Sequence, residues 1–155
     1  SGVDFHMGTL GKSAGVAGGY IACSSAYRAL LVNRARSFIY STAPPPAQSA
    51  AALAGLKIIR SNQGDTLREK LWSNIRLFSD LTNTEVAQSA IIPWHIGDSS
   101  TTLTISNNLQ NEHCILAPAV RYPTVPRNTA RLRITLTAAH SDEDIKKLAT
   151  GIHSQ

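Results

Sequence analysis

Half of the ten glycines fall between residues 8 and 19, at Gly8, Gly11, Gly15, Gly18 and Gly19. That density rules out a helix, since each glycine in a helix interior costs about 1 kcal/mol relative to alanine. The chain must turn there, and residues 3–7 and 20–23 read as the strands on either side. Such an abrupt opening on a strand leads us to expect further sequence upstream. Gly11-Lys12-Ser13 invites comparison with a nucleotide phosphate loop, in which backbone donors cradle phosphates and the lysine reaches the terminal one. The spacing excludes it: the glycine required five residues before Gly11 is His6, and Gly15, Gly18 and Gly19 stand where the motif needs a helix.

At 155 residues and 43% hydrophobic content the chain can bury a core, and its length fits one domain better than two. No run approaches the roughly 18–20 apolar residues of a membrane span, and no charged-then-apolar leader opens the sequence, so a soluble cytoplasmic protein is expected. Cys23 and Cys114 each sit in a mostly apolar stretch and read as buried free thiols. The net charge of +5 could suit an anionic partner. The basic residues are scattered, however. Arg28, Arg34 and Arg36 form the only loose cluster, without interleaved aromatics or a zinc-finger or RNA-recognition motif, so no nucleic-acid partner is expected. His95, His113, His140 and His153 show no metal-ligand spacing and read as surface or packing residues.

Beyond the second strand, residues 25–33 read as a helix. Pro44, Pro45 and Pro46 then break regular pairing, and proline suits the start of a helix over residues 47–61, with Leu53, Leu56 and Ile59 at helical spacing. Gly64 reads as a break before a helix from about Asp65 that carries Leu67, Leu71, Ile75 and Phe78 on one face. From Ser89 the pattern alternates: a strand over 91–96, a helix over 99–111, a strand over 114–116, then a proline-rich loop. Residues 131–137 alternate cleanly, placing Leu132, Ile134 and Leu136 on one face and Arg131, Arg133 and Thr135 on the other. Ser141 with Asp144 resembles a capping box for a last helix that turns Ile145, Leu148 and Ile152 inward. The C-terminal half is thus expected to be a compact α/β unit.

A lysine on a tight glycine turn, with Thr9 three residues before it, suits an amine that must lose its proton to attack an aldehyde. Taken alone, Lys12 reads more readily as a solvated loop lysine. The wider sequence decides the matter. Gly8-Thr9-Leu10-Gly11-Lys12-Ser13-Ala14-Gly15, with Gly18-Gly19, resembles the cofactor-lysine segment of the α-oxoamine synthases. In the same order, Phe38-Ile39-Tyr40-Ser41-Thr42 and its prolines resemble the family's interface-crossing segment, and Pro123-Thr124-Val125-Pro126 a substrate-side loop. Thr129-Ala130-Arg131-Leu132-Arg133-Ile134-Thr135-Leu136-Thr137-Ala138-Ala139-His140 resembles its closing strand.

The resemblance implies an aspartate-aminotransferase-like, fold type I α/β architecture, with residues 1–58 ending the large cofactor domain and 59–155 forming the small C-terminal domain. It implies pyridoxal 5'-phosphate held by Lys12, with Thr9 on the cofactor phosphate and Lys12 later acting as base. Thr42, with Ser41, would reach the phosphate of the neighbouring subunit in a homodimer. Arg133 would bind the amino-acid carboxylate, a role suited to a bidentate guanidinium, and Thr124 would lie beside the substrate. For Arg133 a solvated strand residue, and for Thr124 an ordinary loop residue, are the plain alternatives. Members of the family condense an amino acid with an acyl thioester and release carbon dioxide. The closing strand is most similar to members that join L-alanine to a pimeloyl thioester, on acyl carrier protein or coenzyme A, in biotin synthesis; glycine-using members remain open. Asn128 stands where the family has glycine, and asparagine tolerates positive φ. The family's ring-pairing aspartate and ring-stacking histidine lie upstream of the lysine, and Asp4 and His6 are too close to Lys12 to replace them. The chain by itself is therefore expected to have little activity, and a non-catalytic structural or dimerisation module is the alternative of another class.

Overall fold

The computed structural model describes residues 2–154. The chain divides into two compact units, the first ending at Asp65 and the second beginning at Thr66.

In the first unit β1 (His6–Thr9) and β2 (Gly19–Ala22) form an antiparallel hairpin, registered from His6 opposite Ala22 to Thr9 opposite Gly19. The first strand starts later than residues 3–7 suggest and runs into the glycine-rich segment, so Gly8 pairs with Tyr20. There the exposed Tyr20 ring lies over Gly8, and a β-carbon at Gly8 would lie 2.5 Å from it and require the ring to swing aside. Phe5, read as strand, instead rests against Tyr27 with ring centroids 4.7 Å apart. Helices α1 (Ser25–Arg34), α2 (Arg36–Ile39) and α3 (Pro46–Ile59) follow, and none has a buried residue. The Ser24 hydroxyl caps α1 by accepting from the Tyr27 amide, and Pro46 occupies the first turn of α3, where its fixed φ fits a helix start.

Gly64 is not the break between helices. It lies buried in the first turn of α4 (Asn62–Thr82), while the chain turns at Arg60 and Ser61. The Ser61 hydroxyl donates to the Ile58 carbonyl at 2.8 Å and accepts from the Gly64 amide at 3.4 Å. A β-carbon on Gly64 would sit 2.4 Å from the Ile58 carbonyl oxygen, so the glycine permits the helices to meet at this tight corner.

The second unit holds the apolar core. Its antiparallel sheet has the order β3 (Ile91–Gly97), β5 (Ala130–Thr135), β4 (Ala119–Val120), with β5 in the centre. The alternation read from the sequence is what β5 uses: Leu132, Ile134 and Leu136 are buried, while Arg133 and Thr135 are exposed. Each buried side chain of this size contributes about 1.5–3 kcal/mol. They meet Ile75 and Phe78 of α4, Leu109 of α5 (Ser99–His113), and Ile145, Leu148 and Ile152 of α6 (Asp142–His153) in one cluster. Helix α6 opens with the expected capping box, the Ser141 hydroxyl accepting from the Asp144 amide and the Asp144 carboxylate from the Ser141 amide.

Two further sequence expectations change. Residues 114–116 form no strand, because Cys114 ends α5 in the left-handed conformation at φ 53°, and its amide and that of Ile115 both return to the Leu109 carbonyl. The chain rejoins the sheet only at Ala119. The thiols are free but not buried: Cys23 is half-buried and Cys114, at the exposed end of α5, is exposed. Among the described residues, no helix is long and apolar enough to cross a membrane.

Candidate active site

The turn between β1 and β2 is built by its own backbone. The Leu10 amide donates to the Gly18 carbonyl at 2.9 Å, the Val16 amide to Leu10 at 3.1 Å, and the Gly15 amide to the Lys12 carbonyl at 2.9 Å. Gly15 and Gly18 adopt φ of 68° and 131°, the region that disfavours any residue with a β-carbon. Lys12 stands exposed on this arch, and among the described residues its ammonium has no hydrogen bond or ion pair. Thr9, at the end of β1, is tied into the arch: its hydroxyl donates to the Gly18 carbonyl at 3.3 Å and accepts from the Gly11 amide at 3.2 Å. The geometry therefore fixes the backbone under Lys12 and leaves the amine unengaged.

Ser41 and Thr42 follow α2 in an exposed loop, where the Ser41 hydroxyl donates to the Ser37 carbonyl. Both line an open cleft with Gly18, Gly19, Pro45 and Gln48; Thr9 and Lys12 lie outside its lining. The structure thus places the Ser41–Thr42 loop next to the distal limb of the lysine turn.

Two residues of α3 escaped the sequence reading. The Gln48 side-chain amide donates to the Ala17 carbonyl at 2.6 Å, and a β-carbon on Gly55 would sit 2.6 Å from the Ala14 carbonyl oxygen. The signal for Gly55 was available, since an isolated glycine inside a helix often marks a close backbone approach. Nothing in the local sequence distinguishes Gln48 from a solvated helix residue.

In the second unit Arg133 projects from the exposed side of β5, opposite Pro93 of β3, and its amide donates to the Pro118 carbonyl at 2.9 Å. Its guanidinium is thereby kept off the core face on which Leu132 and Ile134 are buried. Thr124 is exposed in the loop between β4 and β5, its amide accepted by the Arg121 carbonyl at 2.9 Å. In the same loop Arg127 lies over the Tyr122 ring, 4.4 Å from its centroid. Asn128 adopts φ 60°, so asparagine does hold the turn as expected. Within the first unit, then, a primary amine stands on a backbone-closed turn with hydroxyls beside that turn, a set that suits a ligand bearing a carbonyl and a phosphate. Within the second, Arg133 supplies an exposed guanidinium, which suits a carboxylate.

The family model of the aminotransferases of class I and II matches residues 2–152. The chain is 45% identical over 147 residues to 8-amino-7-oxononanoate synthase from Granulibacter bethesdensis, covering 95% of this chain and 38% of that protein. It is 40% identical over 159 aligned residues to 8-amino-7-oxononanoate synthase from Citrifermentans bemidjiense, covering 99% of this chain and 40% of that protein. The solved serine palmitoyltransferase of Sphingomonas wittichii superposes with a TM-score of 0.87 at 29% identity, over 98% of this chain and 39% of that one. The chain spans about two fifths of the length of the curated relatives it matches. A match over nearly its whole length, with relatives at this identity, places the chain in the aminotransferase class I and II family.

Proposed function

We propose that this chain is the C-terminal part of an 8-amino-7-oxononanoate synthase, which condenses L-alanine with a pimeloyl thioester and releases carbon dioxide and the free thiol. The observation that carries the reading is Lys12, a lysine with an unengaged amine on a backbone-closed glycine turn. Identity of 40–45% to two synthases of that name supports the choice of reaction.

The cofactor of this family is pyridoxal 5'-phosphate. When bound, it takes up the electron pair left on the amino-acid α-carbon as a bond to that carbon breaks. Lys12 would hold the cofactor through its amine and would serve as the base that accepts the α-proton at Nζ. The Thr9 hydroxyl has a single hydrogen to donate, so contacting the cofactor phosphate requires it to leave the Gly18 carbonyl; the 3.3 Å length of that bond suits such an exchange. Ser41 and Thr42 serve the phosphate held by the neighbouring subunit of a homodimer. Arg133 pairs with the substrate carboxylate, and its bidentate fork orients as well as attracts. Thr124 sits beside the acyl group. In this reading residues 1–58 end the large domain, residues 59–155 form the small one, and the enzyme works in the cytoplasm with acyl carrier protein or coenzyme A as the thioester.

A second reading keeps the chemistry and changes the amino acid. The likeness to serine palmitoyltransferase favours a broader α-oxoamine synthase assignment, with glycine or serine in place of alanine. One experiment tests both. The complete protein is loaded with pyridoxal phosphate beside a Lys12→Ala variant, and visible spectra are followed on adding L-alanine, glycine or L-serine. A lysine-dependent band that responds to alanine alone is expected. A band that survives in the variant would remove Lys12 from its role, and a response to glycine or serine instead would change the substrate.

A further inference from the structure

We infer that Gln48 is a positioning residue for the lysine turn, holding the limb that follows Lys12 against α3. The inference rests on the reading of Lys12 as the cofactor lysine. Bonds within the arch join Leu10 to Gly18 and Val16, and Lys12 to Gly15, which leaves the Ala17 carbonyl without a partner inside the turn. The Gln48 amide meets that carbonyl at 2.6 Å across 31 residues. Among the described residues this is the one side-chain hydrogen bond to the turn from outside the hairpin itself.

The three prolines explain why Gln48 is free for the task. With Pro45 as N-cap and Pro46 first in the helix, Gln48 stands third in α3. A glutamine there ordinarily turns back to the N-cap amide, but proline has no N–H to offer. The Gln48 side chain reaches outward instead. Gly55, seven residues on, lies on the same helix face, and its missing β-carbon admits the Ala14 carbonyl. Helix α3 therefore touches the limb at Ala14 and at Ala17, and the Gly15 amide, between them, holds the Lys12 carbonyl. Fixing residues 14–17 fixes the backbone from which the lysine extends, and the sharing of one cleft by Gln48, Ser41 and Thr42 places the same side chain beside the phosphate-side hydroxyls.

Ala17 is an exposed residue, so losing this bond is expected to cost the fold little, and the effect falls on where the amine is delivered. The test uses the complete cofactor-loaded protein and Gln48→Met, which keeps the length and removes the donor. Expected are a pyridoxal-phosphate dissociation constant raised about tenfold, the scale of one hydrogen bond, and a displaced pH midpoint for the visible band of the lysine-bound cofactor. The melting temperature should stay within about 3 °C of the parent. Gln48→Glu, equally long and without a donor at neutral pH, should move both readouts in the same way. An unchanged dissociation constant and pH midpoint in Gln48→Met would overturn the inference while Lys12 kept its role. A parent protein with no Lys12-dependent band would overturn both.

Discussion

Asn74 should be among the most sensitive polar positions of the second unit. It is 1% exposed, and its side-chain amide donates to the carbonyls of Thr137 at 2.9 Å and His140 at 3.0 Å, tying the segment after β5 to α4. Its Oδ1 is buried and accepts nothing. Asn74→Ala removes two part-buried hydrogen bonds whose donor is buried, each worth about 1–3 kcal/mol. Deleting the orphaned oxygen returns about 1–2 kcal/mol of that. The expected net loss is about 3 kcal/mol. Both tryptophans of the chain, Trp72 and Trp94, lie in the second unit, and Trp94 meets Phe78 edge-on at 6.1 Å, so tryptophan fluorescence reports its unfolding. With a urea slope of about 1–3 kcal/mol/M, the midpoint should fall by about 1 M or more. A shift equivalent to less than about 0.5 kcal/mol would refute the argument. Asn74→Asp sharpens it, since a carboxylate of the same size would face two carbonyl oxygens. That variant should be less stable than Asn74→Ala at neutral pH and recover as the acid protonates.

Two further outcomes follow from helix ends. Hydrogen bonds from the Ser100 hydroxyl, the Thr101 amide and the Thr101 hydroxyl lower the Asp98 carboxyl from its usual 3.8 to about 2. The folded value is the depressed one, so this cap supports the fold above the ordinary carboxyl range and is lost as pH falls through about 2. An NMR titration of Asp98 should show that low midpoint, with Asp98→Asn insensitive to pH over the same window. Cys114, left-handed at φ 53° with an exposed side chain, should gain from Cys114→Gly. About 0.5–1 kcal/mol is expected, seen as a melting temperature higher by about 3 °C or more, and a fall would show that the thiol makes a contact the geometry does not indicate.

Periodicity read the second unit well because its faces differ. In residues 131–137 every second side chain is apolar, and only one register buries Leu132, Ile134 and Leu136 together. The capping residues of α6 were equally legible, since a serine and an aspartate three apart have few other uses before an amphipathic helix. The same signals failed where a local bond, invisible in composition, decides the path. Residues 114–116 have strand-like chemistry, yet the return of two amides to Leu109 keeps them at the end of α5. Gly64 looked like punctuation and is a packing residue, because its helix begins two residues earlier under the Ser61 cap. At the site, the glycines announced a turn and resemblance singled out Lys12. The support from Gln48 joins residues 31 apart through one side-chain bond, which no periodicity encodes.

The two candidate ligand-binding groups are held by different physics, and that predicts how each fails. Arg133 inherits its direction from the core, because with Leu132 and Ile134 buried on one face of β5 the residue between them must face the other. Its orientation is therefore as stable as the unit itself, and replacing its exposed side chain should leave that core intact. Lys12 has no such core beneath it. Helices α1, α2 and α3 bury no residue, and the turn depends on a few backbone bonds, two left-handed glycines and the face of α3. Those bonds hold the backbone of the turn, and the freedom left to the lysine is that of its own exposed side chain. Under the proposed reading, an amine that is to bind a cofactor and also act as a base would use that side-chain freedom, whereas a guanidinium that binds a carboxylate would gain from being fixed.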